Sequence, residues 1–114
     1  PPSRFVRATF FQLTAPQQQS AQESVFQAFH ILNNFDIPTG TEQLWGKASA
    51  DVPSATQFTV ATDTQNCIIY YRTMYNSNIR SIDLKAIDFD KVKYYSMPLD
   101  SVKKQPVESV NIKS

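Results

Sequence analysis

The chain has 114 residues, enough for one small domain, and its 41% hydrophobic and 12% aromatic content is sufficient to build a core rather than stay disordered. A formal net charge of +1, with acids and bases scattered along the chain, excludes a basic stripe for nucleic acid and an acidic field for cationic substrates. The single cysteine, Cys67, excludes an internal disulfide framework and a multi-cysteine zinc site, and no apolar run approaches the ~20 residues that cross a bilayer, so no membrane partner is expected.

Residues 3 to 13 carry two patterns at once. Val6, Phe10 and Leu13 fit helical spacing, while Val6, Ala8 and Phe10 also fit strand alternation. Pro2 followed by Ser3 tips the reading toward a helix with Ser3 as its N-cap. Thr14 to Gln19 is a polar, proline-containing connector. Ser20 and Glu23 then have capping-box spacing ahead of a long apolar pattern, which predicts the clearest helix of the chain. Val25, Phe29 and Leu32 form its stripe, Ala21 and Ala28 widen it, and Asn33-Asn34 followed by Pro38 and Gly40 marks the exit. Such a helix should bury its stripe against a sheet or another helix.

Residues 36 to 56 hold Pro38, Pro53, both glycines and the only tryptophan, and read as a connector from the helical half to the strand half. Trp45 there is read as folding onto the local core, with contact to a substrate as the alternative. From Gln57 the pattern becomes β. Strands are predicted over 57–62 and 67–73, joined by a turn at Asp63-Thr64-Gln65-Asn66. A second turn at Tyr75-Asn76-Ser77-Asn78 leads to a strand over 79–84, and Val92 to Met97 gives a last strand ended by Pro98. The tail 98–114 is polar and is expected to pack on another part of the protein.

Gly40 and Gly46 are the two glycines, where average usage would give about eight. A self-contained β-rich domain draws on more, because only glycine enters positive φ freely. Pro1 also leads directly into an apolar segment, so residue 1 reads as a cut point in a longer chain.

The residues by themselves assemble no complete active site. A hydrolase triad needs a nucleophile and an oriented base, and the only imidazole is His30, read as structural because it lies within the long helix. Asp88 and Asp90 flank Phe89 and point the same way, but no histidine, thiolate or glycine loop completes a metal site, so they read as a solvated acidic face. Cys67 opens a predicted strand beside Ile68 and Ile69 and reads as a small, inert hydrophobe. Tyr70, Tyr71 and Arg72 suggest a binding strip, yet alternation sends Tyr70 and Tyr71 to opposite faces, as a sheet covered on both sides requires.

Three segments taken in order resemble one family. Ser3-Arg4-Phe5-Val6-Arg7-Ala8 is similar to the Ser-Arg-Phe-Val-Arg or Ser-Arg-Phe-Ile-Arg segment of bile salt hydrolases and penicillin V acylases. Phe29-His30-Ile31-Leu32-Asn33-Asn34 resembles a helix end of the same proteins, and Ile69-Tyr70-Tyr71-Arg72-Thr73-Met74-Tyr75-Asn76 resembles their tyrosine-rich strand and turn. The order and spacing match over about residues 3 to 97, and the chain resembles the C-terminal part of the choloylglycine hydrolase family.

That resemblance implies an α+β fold, the C-terminal portion of an αββα N-terminal-nucleophile hydrolase sandwich, with two helices (about 3–35) followed by an antiparallel meander (57–97). It implies cleavage of linear amide C–N bonds, of the penicillin V, conjugated bile salt or N-acyl homoserine lactone type. The family nucleophile is an N-terminal cysteine that lies outside this chain, with its α-amino group as base. That amine has a pKa near 8, close to working pH, and needs no histidine.

By the same resemblance Arg4 is the catalytic residue of this segment, a fixed positive charge beside the nucleophile. At ~4 Å and an effective dielectric of ~20 such a charge favours thiolate by about 4 kcal/mol before desolvation. Arg7 inherits no catalytic role. No cofactor and no metal are implied. The implied partners are the missing N-terminal part of the same protein, a small-molecule amide substrate and, for the full-length protein, further copies of itself. The segment alone is expected to be inactive. The rival expectations are a catalytically dead relative and a non-enzymatic interaction module.

Overall fold

Proline in the first turn of a helix loses no hydrogen bond, because the N–H it lacks would have no partner there. Helix α1 accordingly runs Pro2–Thr14 in the computed structural model, which describes residues 2–40, 55–92 and 100–113. Ser3 therefore lies inside the first turn and is not the N-cap its position suggested. The helix stops where Pro16 disfavours helical geometry for Ala15, and the last carbonyls are satisfied locally. Ala15 N–H donates to Phe11 O at 3.0 Å and Thr14 Oγ1 to Phe10 O at 2.8 Å. Val6, Phe10 and Leu13 have the predicted helical spacing but stay 62, 61 and 79% exposed. Their stripe is left uncovered by the described residues.

Helix α2, Ala21–Leu32, begins as predicted. Ser20 is extended and its Oγ accepts from Glu23 N–H at 3.1 Å. The Glu23 carboxylate reaches back one residue further than a capping box requires, accepting from Gln19 N–H at 3.1 Å. Val25 and Phe29 are buried where α2 lies along the first strand, while Leu32 and Ala28 are half-buried and Ala21 is exposed. Burial of each large side chain contributes about 1.5–3 kcal/mol. A short 3-10 turn, Asn33–Phe35, ends the helix. His30 sits exposed in the last turn of α2. It faces away from the buried stripe, which runs through Val25 and Phe29.

Ile37 and Thr56 close the connector. Thr56 N–H donates to Ile37 O and Ile37 N–H to Thr56 Oγ1, both at 3.0 Å. Trp45 lies outside the described residues.

Strands β1 (Phe58–Asp63), β2 (Ile68–Thr73) and β3 (Asn76–Asp83) form an antiparallel meander in that order. The second turn falls on Met74 and Tyr75 rather than on 75–78, because Thr73 pairs with Asn76 and closes the hairpin over two residues. The ladder absorbs this with a register shift, Tyr71 facing Arg80 while Thr73 faces Asn76. Val92 is outside any strand, its N–H bonded to Asp88 O at 3.0 Å, and the rest of the strand predicted over 92–97 lies outside the described residues.

Cross-strand pairing puts Thr59, Ala61, Tyr70 and Arg72 on the α2 face, and Phe58, Val60, Ile69 and Tyr71 on the other. Tyr70 and Tyr71 thus divide between faces as alternation predicts. The tail packs on the second face: Asp100 bonds Thr73 and Arg80, and Gln105 Oε1 accepts from Ser77 N–H at 2.6 Å. Among the described residues Val25, Phe29 and Tyr71 are the buried apolar side chains, while Phe58 and Val60 stay exposed.

Candidate functional site

The site proposed from sequence, Arg4, lies where α1 meets the end of α2. Asn34 shapes this junction. Its Nδ2 donates to His30 O at 3.3 Å and Ile31 O at 3.1 Å, satisfying carbonyls that the helix leaves open. The chain then presents the half-buried Phe35 toward α1. Arg4 and Arg7 are three residues apart on α1 and share one face. The Arg4 guanidinium carbon lies 5.6 Å from the Phe35 ring centre and that of Arg7 lies 5.1 Å from it. Arg7 also donates through Nη1 to Asn34 O at 3.2 Å. Two cations fit here because the π-face and the carbonyl end of α2 both carry negative potential; each exposed cation–π contact is worth about 0.5–1 kcal/mol. Phe11 completes the junction, meeting Phe35 edge-on at 6.5 Å and 82°.

The other titratable candidates stay apart from this junction. Cys67 does not open a strand. It occupies the β1–β2 turn, exposed, with φ 56°, and its Sγ is 3.9 Å from Thr64 O. Asp63 organises that turn, accepting from Asn66 N–H at 3.0 Å and Asn66 Nδ2 at 2.8 Å, bonds that hold its carboxyl below the usual range. Cys67 takes the left-handed position that glycine would fill, in a segment without one. Asp88 and Asp90 are exposed; Asp88 accepts from Asp90 N–H at 3.1 Å and pairs with Lys91 at 3.7 Å. Among the described residues no group of acids, cysteines and histidines could hold a metal ion. Arg72 is a packing residue, its guanidinium 5.1 Å from the Phe29 ring.

Two features escaped the sequence reading. Arg80 grips Asp100 through Nη1–Oδ1 at 3.0 Å and Nη2–Oδ2 at 3.1 Å and lies 4.8 Å from the Tyr71 ring. The Arg80 and Thr73 bonds hold the Asp100 carboxyl below its ordinary range. A cleft of about 290 Å³ opens between the connector and the sheet, with Asp36, Ile37, Phe58, Arg72 and Thr73 on its walls. Its acid and its arginine come from segments that the fold alone brings together.

Two helices followed by an antiparallel meander define an α+β unit, and the same arrangement recurs in a known structure. The crystal structure of a cysteine-to-alanine mutant of conjugated bile acid hydrolase from Clostridium perfringens superposes with a TM-score of 0.60 at 23% identity, covering 94% of this chain and 29% of that one. The fold is therefore shared with that hydrolase.

The model of the linear amide C–N hydrolases, choloylglycine hydrolase family, matches residues 1–97, and the chain belongs to that family. It is 36% identical over 100 residues to the bile salt hydrolase/transferase of Lactiplantibacillus plantarum, covering 87% of this chain and 29% of that protein. To the bile salt hydrolase/transferase of Clostridium perfringens it is 29% identical over 97 residues, covering 83% of this chain and 28% of that protein. The chain thus spans less than a third of the length of these relatives.

Proposed function

We propose that the full-length protein hydrolyses linear amide C–N bonds with an N-terminal cysteine nucleophile that lies outside this chain, and that Arg4 supports that nucleophile. The observation that carries the reading is the family match over residues 1–97, which includes the Ser3-Arg4-Phe5-Val6-Arg7 segment on α1. The α-amino group of the cysteine takes the thiol proton, and the thiolate attacks the amide carbonyl. Collapse of the tetrahedral adduct breaks the C–N bond, the ammonium returns the proton to the departing amine, and water then hydrolyses the thioester. A guanidinium beside the sulfur stabilises the thiolate before it attacks and again as water releases it from the thioester.

The exposed Phe58 and Val60 on edge strand β1, and the exposed stripe of α1, favour a chain that packs against further polypeptide over a self-contained interaction module. Residues 1–114 alone are accordingly expected to be inactive.

The test is amine release by the purified full-length protein from penicillin V, a glycine-conjugated bile salt and an N-acyl homoserine lactone. Hydrolysis of at least one, with a strong loss in Arg4→Ala and a retained melting transition, is the expected result. An intact protein inactive on all three, or turnover by residues 1–114 alone, would overturn the reading.

A further inference from the structure

The group that the Arg4 guanidinium meets among the described residues is an aromatic ring rather than a carboxylate. Among the described residues Arg4 forms no ion pair and no side-chain hydrogen bond, and its guanidinium rests 5.6 Å from the centre of the Phe35 ring. A carboxylate partner would neutralise the charge; a ring orients it and leaves its donors free for another group. Phe35 can do this because it is itself held, edge-on by Phe11 at 82° and by the 3-10 turn that ends α2.

We infer that Phe35 is a positioning residue for Arg4, acting on the nucleophile only through that guanidinium; the inference rests on the role proposed above for Arg4. Arg7 separates positioning from mere attachment. It also lies on the ring, at 5.1 Å, but has a second tether through its 3.2 Å bond to Asn34 O. Removing the ring therefore leaves α1 joined to the end of α2 through Arg7, while the Arg4 guanidinium loses the aromatic contact it makes among the described residues. Freed side-chain rotation spreads the charge over several positions and weakens its hold on a thiolate that requires one.

The experiment uses the full-length protein in a Cys67→Ser background, which removes the exposed thiol of this segment. Iodoacetamide labelling of the N-terminal cysteine, followed by mass spectrometry of its peptide, is measured against pH. Phe35→Leu and Phe35→Met, two ring-free variants that guard against a packing defect in either one, should move the labelling midpoint to higher pH. They should also slow labelling at neutral pH by about threefold. Phe35→Tyr, which keeps the ring, should label like the parent, and Arg4→Ala combined with Phe35→Leu should label like Arg4→Ala alone. Wild-type labelling in both ring-free variants, or losses that multiply in the double variant, would overturn the inference while leaving Arg4 in its role. Wild-type labelling in Arg4→Ala would overturn the role of Arg4 and the inference with it.

Discussion

Arg80 and Asp100 meet fork to fork, two parallel hydrogen bonds of 3.0 and 3.1 Å joining β3 to the C-terminal tail. Thr73 adds its hydroxyl to the same carboxylate, and the Arg80 guanidinium lies on the Tyr71 ring. The tail is thereby anchored on the sheet face opposite α2.

This anchor should be acid-sensitive. The Arg80 bonds first, then the Thr73 hydroxyl, lower the Asp100 pKa below its ordinary 3.8. A depressed folded-state pKa means that the stabilisation is fully present above the unfolded value and is lost as pH falls through the folded one. Denaturant melts of the full-length protein between pH 7 and pH 2 should show a loss of stability below about pH 4 that Asp100→Asn reduces. An unchanged acid limb in Asp100→Asn would contradict the anchor.

Phe29 is the most deeply buried of the described apolar side chains, 3% exposed, and also carries Arg72 on its face. Phe29→Ala should destabilise by about 3 kcal/mol or more, read as a drop in the urea midpoint at constant slope. Leu13→Ala, at a site 79% exposed among the described residues, tests the uncovered stripe: a loss of more than about 1 kcal/mol in the full-length protein means that other polypeptide covers it there.

Cys67 holds φ 56°, a region that costs a side-chain-bearing residue about 1 kcal/mol. Cys67→Gly should stabilise by up to about that amount, and Cys67→Val should destabilise, because a β-branched side chain tolerates positive φ worst. Thermal melts of the two variants should therefore move in opposite directions.

Ser20→Ala removes the acceptor for Glu23 N–H and should cost about 1 kcal/mol, whereas Ser20→Asp, another good N-cap, should stay close to wild type. Equal losses in both would show that the cap hydrogen bond is not what the serine contributes.

Sequence alone determined what depends on neighbours along the chain. Ser20 with Glu23 marks a helix start because capping joins residues one turn apart, and the spacing of Val25 and Phe29 marks the buried face because α-helical geometry repeats every 3.6 residues. The opposite facing of Tyr70 and Tyr71 follows from the strand period of two in the same way. The resemblance rests on the similarity of the Ser3 to Ala8 segment and its two companions, taken in order, to a known family, and family membership agrees with it.

Tertiary structure decided the rest. Thr73 pairing with Asn76 moved the second turn, and a four-residue turn without glycine drew Cys67 out of its strand into the left-handed region. Phe35 meets Arg4, and Asp100 meets an arginine 20 residues behind it, through contacts between distant segments that no local period encodes. Composition marks neither Phe35 nor Asp100, because a ring or a carboxylate acquires a role here only from what the fold sets against it. Arg4 shows both sides of this: its motif is local, but the ring its guanidinium meets comes from the turn that ends another helix.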